Sequence, residues 1–235
     1  PIRYLSKAEI ENLIGLLAKH ASLGLLEGKT HEQQVEAFTE AAGRQLLVAL
    51  HEATKGKKFE EIILDEYNAI SDEYARQLYL DICTLNQFGV PVRAGTISRI
   101  SDIQFEDYRK DFLQPLEFIV MTSKDRYSGD YVYKARHAKV AGLVFKLVCD
   151  DDRKKQIQIK RILSGMDLGY ESDRIAIDGL FKGRAFAQTF SDINSGRDLF
   201  RAALEQFDEP AFLYHQWAVF ELNHRAGSLT EAEQQ

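Results

Sequence analysis

Apolar residues recur three and four positions apart through almost the whole chain, in short segments opened by a capping residue and closed by glycine. That pattern commits most of the sequence to helices. Ser6 with Glu9 forms a capping box ahead of Ile10, Leu13, Ile14 and Leu17, in a helix expected to end near Leu23 and Gly24. Thr30 with Gln33 forms a second box ahead of Val35, Phe38, Ala42, Leu46 and Leu50, a long helix running to Gly56. A third helix takes Phe59, Ile62, Ile63, Tyr67 and Ile70. A fourth, capped by Ser71, runs through Leu78, Ile82 and Leu85 to Gly89.

Beyond Gly89-Val90-Pro91 the pattern changes. Short helices are expected at 94–100 and 105–112, then a strand at 116–120 and its partner Tyr131-Val132-Tyr133 across a turn holding Ser128, Gly129 and Asp130. Helices resume at 137–148, and at 151–163 behind the acidic run Asp150-Asp151-Asp152, which suits the positive end of a helix dipole. Further helices are expected at 173–190, 196–207 and 210–224, with a new start at Thr230. The fold class is therefore mainly α: a helical domain over 1–90, a winged-helix-like unit with a small β-hairpin over 91–165, and the start of tetratricopeptide-like α-hairpins over 166–235.

Composition narrows the function. A net charge of −6 argues against a nucleic-acid binder, which needs clustered Lys and Arg. No apolar run approaches the ~20 residues that cross a bilayer, and no secretory signal opens the chain. Cys83 and Cys149 sit in aliphatic stretches, as reduced thiols do, so the expected compartment is the cytoplasm. Pro1 stands where a Met would, and Gln235 falls inside an apparent helix, so both ends read as cut from something longer.

The motifs that suggest chemistry have simpler explanations. Gly28-Lys29-Thr30 lacks the spacing and the preceding strand of a phosphate loop and reads as a helix-helix turn. Ile62-Ile63-Leu64-Asp65-Glu66 resembles a metal-positioning strand but keeps helical periodicity with its neighbours. His20, His31 and His51 form no metal-ligand spacing, and no Ser, Cys or Lys stands in a nucleophile context. Arg153, Lys154, Lys155, Lys160 and Arg161 read as a solvated helix face. The helix at 137–148, taken as the one a nucleic-acid reader would use, is almost wholly apolar. No catalytic residue is nominated, and no metal.

Three segments carry a resemblance: Gly89-Val90-Pro91, the stretch Tyr131 to Ala141 with Arg136-His137, and Tyr214-His215-Gln216-Trp217-Ala218-Val219-Phe220-Glu221. From about Leu5 onward the chain resembles the region behind the ATPase core of STAND proteins, signal-transduction ATPases related to NLR immune receptors and prokaryotic antiphage sensors. In that family a Gly-x-Pro turn lies beside the adenine, and a winged-helix histidine contacts the β-phosphate of ADP. The resemblance thus implies nucleotide-sensing roles for Gly89, Pro91, Arg136 and His137. Two departures stand out: the interval from Pro91 to His137 is short, and Ala138 replaces the acid of the Met-His-Asp signature.

The resemblance implies a regulatory module without activity of its own. The ATP or ADP would belong to the parent protein, whose upstream P-loop NTPase domain and downstream repeats are the expected partners, with a protein ligand or self-association. A stand-alone helical scaffold for protein partners is the alternative, and a winged-helix nucleic-acid binder the third. His137 merely capping its helix is the simpler role for that residue.

Overall fold

A computed structural model describes residues 5–41, 58–103, 107, 114–125, 129–208 and 210–234. Among them are twelve α-helices and one three-stranded antiparallel sheet, a mainly α architecture as the periodicity requires. The chain divides into two compact units, Pro1–Glu66 and Tyr67–Gln235. Among the described residues no helix is long and apolar enough to cross a membrane.

In the first unit both capping boxes form. Ser6 Oγ accepts from the Glu9 amide at 3.3 Å while Glu9 Oε2 accepts from the Ser6 amide at 2.9 Å, opening α1 (Lys7–Lys19). The helix stops earlier than its apolar spacing suggests, at a His20 cap followed by Ala21 with φ of 50°. Thr30 and Gln33 repeat the box at α2 (His31–Glu36), so Gly28-Lys29-Thr30 is a turn between helices. Buried Gln34 fastens that turn, its amide donating to the carbonyls of Leu26 and Lys29 at 3.0 and 3.3 Å. Ile10, Ile14, Leu26 and Phe38 form the core. After Glu36 the helix widens to a π-turn, Ala37–Ala41. The rest of the expected long helix, with His51, lies outside the described residues. Asp65 and Glu66 sit in α3 (Phe59–Asn68), a helix with Phe59, Ile62 and Ile63 buried, as the periodicity requires.

The second unit is built on α4 (Glu73–Asn86), capped by Asp72 rather than Ser71: the Asp72 carboxylate accepts from the Ala75 amide at 2.7 Å. A carboxylate at the positive end of a helix is the stronger cap. From Leu78 to Asn86 every residue of α4 is buried. A two-residue strand that periodicity could not reveal, β1 (Val92–Arg93), precedes α5 (Ala94–Ser101). The hairpin is formed by β2 (Val120–Lys124) and β3 (Tyr131–Ala135), in sheet order β1-β3-β2.

Strand β2 begins later than expected. Leu116 is buried in a turn whose carbonyl accepts from the amides of Ile119 and Val120, both at 3.1 Å, so 116–119 is not extended. Of the expected helix at 105–112 only Asp107 is among the described residues. Gly129, with φ of +75°, closes the hairpin turn, and the Asp125 amide donates to the Asp130 carbonyl at 2.8 Å.

Next come α6 (Ala138–Val148) and α7 (Asp152–Gly165), the latter capped by Asp151, which accepts from the Lys154 amide at 2.7 Å. The single helix expected at 173–190 is two, α8 (Glu171–Leu180) and α9 (Gly183–Thr189). The break lets fully buried Phe181 meet Phe186 and Phe200, with ring centroids 5.2 and 5.1 Å away. Asp192 starts α10 (Ile193–Gln206) earlier than expected by accepting from the amides of Asn194 and Ser195 at 3.2 and 3.1 Å. Finally α11 (Pro210–Asn223) packs on α9, α10 and α12 (Leu229–Gln234), burying Leu213, Trp217 and Phe220 and leaving Leu222 exposed. Trp217 stacks on Phe200 at 5.6 Å, and Phe220 joins the same aromatic cluster.

Two polar devices lock this end. Glu221 is 1% exposed, yet accepts from Arg197 Nε and Nη2 at 2.7 and 2.9 Å, from the Trp217 indole at 3.0 Å and from the Ser228 amide at 3.4 Å. Burial pushes the Glu221 carboxyl upward, but these donors outweigh it and hold its pKa below the usual value. A depressed carboxylate contributes stability that is present above its unfolded pKa of about 4.3 and lost as pH falls through the folded value. His224, also buried, accepts from the Ala226 amide at 3.1 Å, and its other ring nitrogen lies 3.2 Å from the Phe190 carbonyl.

Melting followed from pH 7 toward acid should therefore fall less steeply in Glu221→Gln, from a lower starting stability, than in the wild type. A second expectation concerns packing. A methyl on Gly196 would enter the Phe220 ring, so Gly196→Ala should cost about 1–3 kcal/mol in urea denaturation. Gly15→Ala, on an exposed helical position with nothing within 4 Å, should instead gain about 0.5–1 kcal/mol.

Candidate functional site

Asn86, the last residue of α4, is 3% exposed and ties two separated segments together. Its side-chain amide donates to the Val90 carbonyl at 3.1 Å, and its carbonyl oxygen accepts from the Ala135 amide at 3.1 Å. The turn Gly89-Val90-Pro91 is thereby fixed beside the end of β3, immediately before Arg136 and His137. The strand register agrees, with Val92 opposite Tyr133. Gly89 has φ of +79°, which a side chain would strain, and its amide closes onto the Asn86 carbonyl at 2.8 Å. All four residues expected at a nucleotide-sensing site thus lie at one end of one small sheet.

His137 is exposed and is the N-cap of α6, its Nδ1 accepting from the Lys139 amide at 3.1 Å. The capping role expected as the simpler one is therefore present. It also sets the tautomer: with Nδ1 an acceptor, the neutral ring carries its proton on Nε2 and offers a donor there. Arg136 is exposed beside it. A helix N-terminus with a guanidinium and an imidazole N–H favours an anionic group. Ala138 brings no carboxylate to this position.

The other reactive side chains are differently placed. Burial pushes the Cys83 thiol far up and the Cys149 thiol to about 11, so neither supplies the thiolate a nucleophile requires. Burial also raises Tyr67 to about 12. Among the described residues no group of three or more His, Cys, Asp or Glu is placed to hold a metal ion.

The basic run on α7 is largely spoken for. Lys154 reaches Asp150 at 2.7 Å, Lys155 reaches Asp152 and the Thr189 carbonyl at 3.3 and 2.8 Å, and Arg161 clasps Asp81. Asp152 accepts in turn from the amides of Ser191 and Asp192, both at 2.7 Å, so the acidic run docks a neighbouring loop as well as capping.

Helix α6 comes after the hairpin and packs against α4, with Val140, Ala141, Val144 and Phe145 buried, so it is a core element. The third strand, β1, completes a sheet for which spacing alone indicates two.

No family model, curated protein or solved structure matches this chain. Asn86 was missed by sequence reasoning; the one available signal was a polar residue at the buried end of an otherwise apolar helix. Asn86→Ala should leave the Val90 carbonyl and Ala135 amide without partners and cost about 1–3 kcal/mol. Hydrogen exchange should then quicken at 89–91 and 135–137 before it does in α7, and uniform protection would contradict the tethering role.

Proposed function

We propose that this chain is a regulatory module of a larger STAND-type signalling ATPase, of the kind used in prokaryotic defence, that senses the nucleotide held by a neighbouring P-loop domain. One observation carries the reading: Asn86 joins the Gly89-Val90-Pro91 turn to the strand end that leads into Arg136 and His137. The chemistry is consistent with a phosphate contact, because a capping Nδ1 leaves Nε2–H as donor at the start of α6. In this reading ATP or ADP is bound mainly by the parent ATPase domain. The α8–α12 helices lead toward repeats that engage a protein ligand or further copies, and the setting is cytoplasmic. Nucleotide and ligand then bias one two-state equilibrium from different sites.

A helical scaffold that binds protein partners is the second reading. It is favoured by α11 packing on both α9 and α10, the succession of neighbours found in stacked α-hairpins.

Two measurements separate them. The coding sequence on the N-terminal side should contain a strand followed by Gly-x-x-x-x-Gly-Lys-Ser/Thr. The protein purified from that whole gene should retain ADP, and His137→Ser should lower the retention at least tenfold, about 1.4 kcal/mol. Serine caps a helix as well as histidine does, so its thermal stability should stay near wild type. Absence of the loop, or ADP retention unchanged in His137→Ser, overturns the sensing role.

A further inference from the structure

Arg93, Arg99, Arg161 and Arg197 of the second unit each face a buried carboxylate, and Arg93 is unlike the others. Arg161 gives Nε and Nη2 to Asp81 at 3.1 and 3.0 Å, and Arg197 gives the same two nitrogens to Glu221 at 2.7 and 2.9 Å. In both, the Nε/Nη2 edge clasps a planar oxyanion in the two-pronged geometry that suits guanidinium. Arg93, only 7% exposed, donates Nη1 to Asp130 at 3.3 Å. Its Nε is ion-paired with Asp173 Oδ1 at 3.7 Å, too long for a hydrogen bond, and among the described residues neither Nε nor Nη2 has a hydrogen-bond partner.

The reason is visible at Asp173. This carboxylate, 3% exposed, accepts from Thr96 Oγ1 at 3.0 and 3.1 Å, Arg99 Nη2 at 3.1 Å, the Asp167 amide at 3.2 Å and Ser172 Oγ at 3.3 Å. About four acceptor positions exist on a carboxylate, and other donors take them. Arg93 is left with its best binding edge beside a carboxylate but without a hydrogen bond. Burying such donors without partners is costly, so this edge is suited to an acceptor from outside the chain.

Nη2 of Arg93 faces a definable place. A methyl built on Gly95 would lie 4.0 Å from Arg93 Nη2 and 3.5 Å from Arg99 Nη1, so two guanidinium groups converge on the bare α-carbon of an exposed glycine. Gly95 is in the first turn of α5, whose N-cap, Arg93, supplies no side-chain acceptor to the amides there. The helix dipole and the two cations act in the same direction, against the carboxylates of Asp130 and Asp173 that pair them. The Tyr170 ring lies 3.2 Å from the Arg93 guanidinium carbon and holds its plane.

We propose that Nη2 of Arg93, Nη1 of Arg99 and the positive end of α5 form a site for a small oxyanion, a phosphate or carboxylate group, seated over Gly95. The two orphan nitrogens are covered, so entry requires Tyr170 or Arg99 to swing aside; Tyr170 is 44% exposed and the Arg99 side chain 37%. The site adjoins Asp130 at the hairpin turn, beyond the other end of β1 from Gly89 and Pro91, and does not rest on the nucleotide reading.

The whole chain is melted with added inorganic phosphate, and separately acetate, against chloride at equal ionic strength. At least one oxyanion should raise the melting temperature of the second unit in proportion to the logarithm of its concentration. Phosphate alone would assign a tetrahedral ligand and acetate alone a carboxylate; either supports the site. Gly95→Leu fills the space from an exposed, unstrained helical position, so it should fold and lose the shift, as should Arg93→Met if that variant folds. No shift with either anion, or an equal shift in Gly95→Leu, overturns the proposal.

Discussion

The second unit depends on how α4 satisfies its buried polar groups. A helix buried along its whole second half would ordinarily be apolar throughout, yet this one carries Asp81, Thr84 and Asn86, each at most 3% exposed. Each must find a partner, because an unpaired polar group in a core costs more than a good hydrogen bond returns. Asp81 takes Gln77, Gln158 and both prongs of Arg161; Thr84 donates to the Leu80 carbonyl at 2.7 Å and accepts from Gln158 at 3.1 Å. These demands fix α7 against α4 in one register, and Asn86 does the same for the sheet. Apolar contact alone would tolerate sliding; the polar contacts do not.

The helices were legible because their signals are local. Ser6 with Glu9, Thr30 with Gln33 and Asp151 are read from residues three apart, and each cap forms as spacing requires. Some errors were local, as at the Asp72 and Asp192 caps, and the larger ones fell where a distant group decided the outcome. The stretch 173–190 has continuous helical periodicity, but Phe181 must turn inward to meet Phe186 and Phe200, and the chain breaks there. Leu116 to Val120 is as apolar as a strand, but the Leu116 carbonyl is already taken by two amides of its own turn. A strand of two residues, Val92–Arg93, has no periodicity to detect; it exists because β3 offers Val132 and Tyr133 as partners.

The candidate site was half legible for the same reason. Gly89, Pro91, Arg136 and His137 are recognisable as short patterns, and their closeness in space comes from strand pairing that a pattern does not contain. Asn86 carries no pattern at all. It differs from its neighbours only in polarity, and its importance comes from partners at Val90 and at Ala135, the latter 49 positions along the chain.

The carboxylates extend this to chemistry. In sequence, Asp81, Glu221 and Asp173 are three acids within helices, indistinguishable by spacing. In the fold, Asp81 and Glu221 each receive both prongs of an arginine, while Asp173 is saturated by hydroxyl, amide and guanidinium donors and meets Arg93 only as an ion pair at 3.7 Å. A clasped pair satisfies most of its desolvation cost internally and serves docking. An arginine kept buried with its fork unfilled leaves that cost outstanding, and the donors that produce the mismatch at Asp173 include Thr96 and Arg99, 77 and 74 positions away. Which acid clasps its arginine and which leaves a guanidinium edge without hydrogen bonds is therefore decided by donor counting in three dimensions.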